Sequence, residues 1–166
     1  MRAERAARSD LPSVANVLAS AREYLARQGL DQWQNFPPTA AETEQFWERG
    51  ELYVMREGGE VAGTFVLVPY EPCYEKIDGA WRHEGAYFAI HRVAVSPAFR
   101  RRGVASAIFS EAARLAKGAG AIALRIDTHA DNVPMRAALE KNAFVFCGTV
   151  VIATGERRVA YEKELT

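Results

Sequence analysis

The chain has 166 residues, of which 49% are hydrophobic and 25% charged, the balance of one ordinary globular domain rather than a disordered polymer. Lys plus Arg and Asp plus Glu are equal at 21 each, so the formal net charge is zero. That excludes a nucleic-acid binder relying on bulk positive charge, but leaves room for a local cationic pocket.

Residues 2–7 read as a short strand. Asp10 is placed to cap a helix with Pro12 in its first turn and Leu11, Val14, Leu18, Ala21 and Leu25 at helical spacing, and Gly29 ends it. Residues 30–38 are loop, and Thr39 caps a second helix that runs to about Arg49. Residues 52–57 and 61–68 are strands joined by Gly58-Gly59, a hairpin signal. Residues 69–85 read as a long loop carrying Tyr70, Cys73, Tyr74, Trp81 and His83, of the kind that serves as a lid or binding loop. Residues 86–95 are strand, stopped by Ser96-Pro97. A helix over 103–117 presents Val104, Ile108, Ala112 and Leu115 on one face. A strand over 121–128, a helix over 133–141 and strands over 144–152 and 158–163 complete the order β-αα-βββ-α-β-α-ββ. This is an α/β chain whose centre needs a parallel crossover. One domain over 1–166 is expected.

Cys73 and Cys147 have neither metal-ligand spacing nor a nearby His-Cys cluster, so they are expected to be free structural thiols, with no metal site. The N-terminal residues are charged throughout and lack the apolar core of a signal peptide. The apolar run around 64–69 falls far short of the ~18 residues of a membrane span. A cytoplasmic protein is expected, with neither membrane nor nucleic acid as partner.

The most informative stretch is Val93-Ala94-Val95-Ser96-Pro97-Ala98-Phe99-Arg100-Arg101-Arg102-Gly103-Val104-Ala105-Ser106. A strand enters an arginine-rich turn, and small residues at the start of a helix let an anion reach backbone N–H groups that the helix dipole reinforces. No Lys-Ser/Thr follows a glycine as in a P-loop, and no G-x-G-x-x-G occurs, so the NTPase and dinucleotide readings fail. The run R-x-x-G-x-A from Arg100 to Ala105 fits instead, and it resembles the acetyl-CoA-binding motif of the GNAT-type N-acetyltransferase superfamily. The block from Asn132 through Met135 and Leu139 to Ala143-Phe144 is similar to that superfamily's second motif. The segments Asp31-Gln32-Trp33-Gln34, Ile90-His91-Arg92-Val93-Ala94-Val95 and Asp127-Thr128-His129 look like an uncharacterised bacterial subgroup of it.

The resemblance implies a GNAT fold, a mixed sheet of about seven strands flanked by about four helices. It also implies acetyl-CoA as co-substrate and a primary amine of a small molecule or protein as acceptor. By the same resemblance, the pantetheine arm would pair with Val93 and Val95, and a backbone N–H near Val93 or Ala94 would polarise the thioester carbonyl. The pyrophosphate would rest on Arg100, Arg101, Arg102, Gly103, Val104, Ala105 and Ser106, and Asn132 would hold the pantetheine. A homodimer would fit the superfamily's habit.

Acetyl transfer needs a neutral amine, a stabilised oxyanion and a leaving thiolate. His91 is the candidate base, since histidine titrates near neutral pH and strand alternation puts it on the face of Val93 and Val95. A strand histidine satisfied by backbone groups is the plain alternative. Leu139 stands where many members of the superfamily carry a tyrosine acid, so Tyr161, Tyr74 and His129 are substitutes to weigh, His129 being equally a turn residue. Tyr24, Trp33, Gln34, Tyr74 and Trp81 are expected at the acceptor, because aromatic loops suit an ammonium or amphipathic ligand. An acyl-CoA-binding sensor that has lost the chemistry is the competing function.

Overall fold

A computed structural model describes residues 1–166. It contains four helices and eight strands of one mixed sheet. This is the expected α/β class, with one strand more than anticipated. By backbone proximity the chain divides into two units, Met1–Leu67 with Arg92–Glu111, and Val68–His91 with Ala112–Thr166.

In the first unit, β1 (Ala3–Arg5) pairs antiparallel with β2 (Leu52–Glu57), and β2 with β3 (Glu60–Val68). Helix α1 (Leu11–Arg27) buries Val14, Leu18 and Leu25, the stripe its spacing requires. Asp10 does not cap it as expected. Its backbone is already helical, and its carboxylate accepts from Ala7 N–H at 2.8 Å and from Arg56 Nη2 at 2.7 and 2.8 Å. With both oxygens engaged by the guanidinium and one also by Ala7 N–H, the carboxylate is turned away from the first turn of the helix. Thr39 does cap α2 (Ala40–Glu48): its Oγ1 accepts from Glu42 N–H, and Glu42 Oε2 accepts from Thr39 N–H.

Gly63 of β3 fixes where α3 (Val104–Gly118) begins. A β-carbon there would lie 2.9 Å from Val104 Cγ1 and 3.2 Å from Ala94 O. Only a bare backbone lets the first turn of α3 and the end of the preceding strand approach so closely.

The second unit holds β4 (Asp78–Gly79), β6 (Ala123–Thr128), α4 (Val133–Lys141), β7 (Val145–Val151) and β8 (Arg157–Glu164). Strand β5 (Tyr87–Val95) begins in this unit and ends in the first. The long loop is not structureless: it contains a 3-10 turn over Pro72–Glu75, and β4 pairs with β7 at Asp78↔Thr149. Two residues of strand leave no periodicity to read. β6 and β8 pair antiparallel, as do β7 and β8. β5 runs parallel to β6 only from Tyr87↔Ala123 to Ala89↔Arg125, whereas β6 continues on β8 to Thr128↔Val159. His91 thus follows the point where β5 and β6 stop pairing. No helix is long and apolar enough to cross a membrane.

Candidate functional site

The arginine turn lies in the first unit. Arg101 and Gly103 both take left-handed backbone angles, φ 61 and φ 78. Left-handed residues alternating with ordinary ones fold successive N–H groups toward one point, a concavity that suits an anion. The first bond within α3 runs from Ala107 N–H to Gly103 O at 3.0 Å, so the amides ahead of Ala107 point back along the axis toward the turn. Gly103 is exposed, and a β-carbon there would meet nothing within 4 Å. Glycine is needed here for its conformation, not for space.

The arginines beside this turn are braced by their own unit. The Arg100 guanidinium lies 4.2 Å from the centre of the Tyr24 ring, and its Nη2 donates to Ser20 O at 3.4 Å. Arg102 pairs with Glu57 at 3.0 Å and lies over Phe99. Three consecutive arginines thus sit in the turn, with Arg102 paired to a carboxylate and Arg100 stacked on a tyrosine, so the zero total charge conceals a local run of positive charge. Ala105 and Ser106 are half-buried and Val104 is buried. These features fit a diphosphate: a concave set of amides, a helix start and flanking cations.

Tyr24 is therefore a support for Arg100 rather than a free aromatic. Trp33 and Gln34 are held in their own loop. Trp33 O and Gln34 O accept from Arg22, and Gln34 Nε2 donates to Arg22 O and Gln32 O.

The second unit gathers Glu71, Tyr74, Trp81, Tyr87, His91, Asp127 and Arg158. His91 Nε2 lies 2.8 Å from Glu71 Oε2, yet too obliquely for an aligned hydrogen bond, and the buried Nε2 has no other partner. The short distance makes the pair an electrostatic one. Glu71 is rigidly presented: its Oε1 accepts from Cys73 N–H, its N–H donates to the Tyr87 hydroxyl, and that hydroxyl donates back to Glu71 O. Burial pushes its carboxyl up, but the His91 contact and the Cys73 N–H outweigh this and hold it below the usual range.

Tyr74 is 1% exposed and donates to Asp127 Oδ2 at 2.6 Å. Its ring packs against Trp81, Tyr87 and His91 with centres 5.2, 6.5 and 6.2 Å away. Burial raises the Tyr74 hydroxyl well above its ordinary value, with the Asp127 charge adding to it. Burial also raises Asp127, against the opposing pull of His91, the Tyr74 hydroxyl and Arg158. Trp81 donates from Nε1 to Tyr74 O, and Arg125 lies 4.4 Å from its ring centre while binding the buried Glu162. His83 and the Arg82 N–H bind the same Glu162, which anchors this end of the loop.

One consequence is measurable. A carboxyl whose folded-state pKa is raised stabilises the fold when protonated. That contribution is complete below the ordinary aspartate value of about 3.9 and is lost as pH rises through the folded value. Asp127→Asn imitates the protonated side chain and keeps an acceptor for Tyr74. Its Tm should therefore equal or exceed that of the unaltered protein at pH 8, with the difference closing toward pH 4. A variant clearly less stable at pH 8 would show that the charges of His91 and Arg158 dominate burial.

The remaining expected residues have local partners. Asn132 is buried and caps α4, its Oδ1 accepting from Met135 N–H at 3.2 Å. His129 Nδ1 accepts from Asp131 N–H at 3.1 Å, the contact of a turn residue. Leu139 is fully buried, and the Tyr161 hydroxyl accepts from Arg136 Nε at 2.9 Å. Val93 and Val95 are half-buried and Ala94 is buried. Alternation carries from Tyr87 to His91 but not beyond, because Arg92 is left-handed at φ 54. Simple alternation therefore does not by itself put His91 on the face of Val93 and Val95. Cys73 and Cys147 are free thiols.

Glu71 and Tyr87 were not singled out from the sequence. Nothing local marks Glu71, whose partner is twenty positions on; Asp127 carried a signal, a carboxylate at the end of a buried strand.

The model of the acetyltransferase (GNAT) family matches residues 18–144. Three solved structures illustrate the likeness. A GNAT-family acetyltransferase from Streptococcus agalactiae 2603 is 30% identical, with a TM-score of 0.88 over 98% of this chain and 94% of that one. A GNAT-family acetyltransferase from Listeria monocytogenes 4b F2365 is 22% identical, with a TM-score of 0.76 over 98% and 94%. The ribosomal-protein-alanine N-acetyltransferase from Brucella melitensis is 19% identical, with a TM-score of 0.70 over 99% and 100%; these last two share the fold. No curated protein matches the chain. With most of its length matched by the family model, and with a relative of 30% identity along nearly all of it, the chain belongs to the GNAT acetyltransferase family.

Proposed function

We propose that the chain, working as one domain over 1–166, is an N-acetyltransferase that moves the acetyl group of acetyl-CoA directly to a primary amine. The family model runs through residues of both units, which supports the one-domain reading. The observation that carries the chemistry is His91 held against Glu71 on the strand that leads into the left-handed turn at Arg101 and Gly103. In this reading the turn and Arg100, Arg101 and Arg102 hold the diphosphate, Val93 and Val95 pair with the pantetheine arm, and Asn132 hydrogen-bonds to it.

His91 takes a proton from the incoming ammonium, directly or through water, and Glu71 stabilises the imidazolium that forms. Because Nε2 faces Glu71, Nδ1 is the nitrogen left to receive that proton. The amine nitrogen then forms a bond to the thioester carbonyl carbon, and the oxyanion accepts from a backbone N–H of Val93 or Ala94. His91 passes the first proton to solvent. As collapse breaks the C–S bond and expels the CoA thiolate, the regenerated imidazole takes the second proton from nitrogen and relays it to solvent, leaving the neutral amide. A thiol with a pKa near 8.5 leaves without strong help, so buried Leu139 at the usual tyrosine position is compatible with turnover. The turn contact of His129 gives it no proton-transfer step here.

The acceptor is a small-molecule or protein amine. The experiment is calorimetric titration with acetyl-CoA followed by mass analysis of a panel of primary amines. Acetylated amine supports the transferase. Tight acetyl-CoA binding with no amine ever modified supports instead the sensor, for which the buried Leu139 is the favouring observation.

A further inference from the structure

Strand β5 carries one residue in a conformation that strands avoid. At φ 54, Arg92 occupies the left-handed region, where a β-carbon crowds the backbone and few residues other than glycine settle. Such a conformation persists where the surroundings over-determine it. Here the surroundings are one face of α2. Arg92 Nη2 donates to Glu42 Oε2 at 2.6 Å, Nη1 donates to Thr43 Oγ1 at 3.4 Å, and the guanidinium lies 5.1 Å from the centre of the Phe46 ring. Glu42 Oε2 also accepts from Thr39 N–H, so the arginine is tied to the capped start of the helix. The Arg92 side chain is 16% exposed and that of Glu42 51%, so it is the arginine, held also by Thr43 and the Phe46 ring, that is fixed in place while the carboxylate stays partly open to water.

We infer that Glu42 and Arg92 form a latch that holds the left-handed kink in β5, making both of them positioning residues for the amides of Val93 and Ala94. The inference rests on the reading above, in which one of those amides polarises the thioester carbonyl. A left-handed residue turns the following peptide groups out of the alternating ladder. The direction in which Val93 and Ala94 present their N–H groups is therefore set by the backbone of Arg92. Without the latch, a residue with a β-carbon relaxes toward an extended conformation and re-aims both amides.

Three single variants separate the latch from general packing. Arg92→Ala and Glu42→Ala break it while leaving a β-carbon that disfavours the kink, whereas Arg92→Gly breaks it and removes the reason the kink needs holding. Amide hydrogen exchange of Val93 and Ala94 in the ligand-free protein reads the kink without any substrate. Exchange should change by about tenfold or more in the two alanine variants and stay near the unaltered protein in Arg92→Gly. In turnover, kcat should fall about tenfold in the alanine variants at constant KM for acetyl-CoA and recover in Arg92→Gly, with Glu42→Ala adding nothing in the glycine background. Glu42→Gln, which keeps an accepting oxygen, should fall between and serves if an alanine variant folds poorly.

Unchanged exchange in the alanine variants, or equal losses in Arg92→Gly and Arg92→Ala, would overturn the latch. If the unaltered protein neither binds acetyl-CoA nor acetylates an amine, the transferase reading fails, while the exchange data still decide the latch.

Discussion

Replacing His91 by alanine is expected to lower kcat/KM for acetyl transfer by about 100- to 10,000-fold, the range a positioned general base supplies. Acetyl-CoA affinity should stay within about threefold, because the lost interaction acts on the amine and not on the nucleotide. The geometry makes the effect specific. His91 lies where β5 has stopped pairing with β6, between the fixed carboxylate of Glu71 and the Tyr74–Asp127 pair. Glu71→Gln should lower kcat/KM less, because the amide keeps an oxygen facing His91 but no longer carries the charge that stabilises the imidazolium formed in the transfer. Stopped-time assays across pH 5 to 9 would measure both. An alanine variant with full kcat/KM and an unchanged profile would remove His91 from the mechanism.

The second large effect concerns the phosphate turn. Gly103→Val should weaken acetyl-CoA binding by at least about 100-fold, since a β-branched residue is a severe misfit at a left-handed position. The space above Gly103 is open, so no buried clash accompanies the change and the fold should survive it. The loss is conformational: a valine that relaxes to negative φ turns away the amides gathered at the start of α3. Gly103→Ala should lie between, as a smaller residue bears the left-handed strain more easily. Calorimetry with acetyl-CoA, alongside circular dichroism to confirm folding, measures this. Intact affinity in a folded valine variant would contradict the assignment of the turn.

Most elements were readable because hydrophobic spacing and punctuation agreed: Thr39 before α2, Gly58-Gly59 between β2 and β3, Ser96-Pro97 after β5. What escaped has a common cause in tertiary partners that local pattern does not encode. Asp10 looks like a cap until Arg56, far along the chain, claims its carboxylate. The loop at 69–85 looks unstructured because β4 is two residues long and takes its definition from β7. Arg92 looks like any strand residue, yet its contacts with α2 accompany a left-handed turn that ends the alternation on which the face of His91 was argued.

The candidate site was legible to a similar extent. The arginines and Gly103 point to an anion turn by composition and place, and the left-handed angles at Arg101 and Gly103 are what the structure adds to that expectation. His91 stood out as a histidine in a strand with no Asp or Glu between residues 86 and 95, but Glu71 did not, lying in a loop among other polar residues. Expectations for the acceptor fared differently by residue. Tyr74 packs against His91 and Trp81 against Tyr74, with Tyr74 itself buried, whereas Tyr24 braces Arg100 and the polar groups of Trp33 and Gln34 are engaged by Arg22 and Gln32.

The most direct measurement is thiol release from acetyl-CoA, followed with and without a primary amine, in the unaltered protein and in His91→Ala. The account predicts release that depends on the amine, matches the acetylated amine formed mole for mole, and nearly vanishes in the variant while acetyl-CoA still binds. Acetyl-CoA that binds the unaltered protein but releases no thiol with any amine, or releases it equally from both proteins, would contradict it.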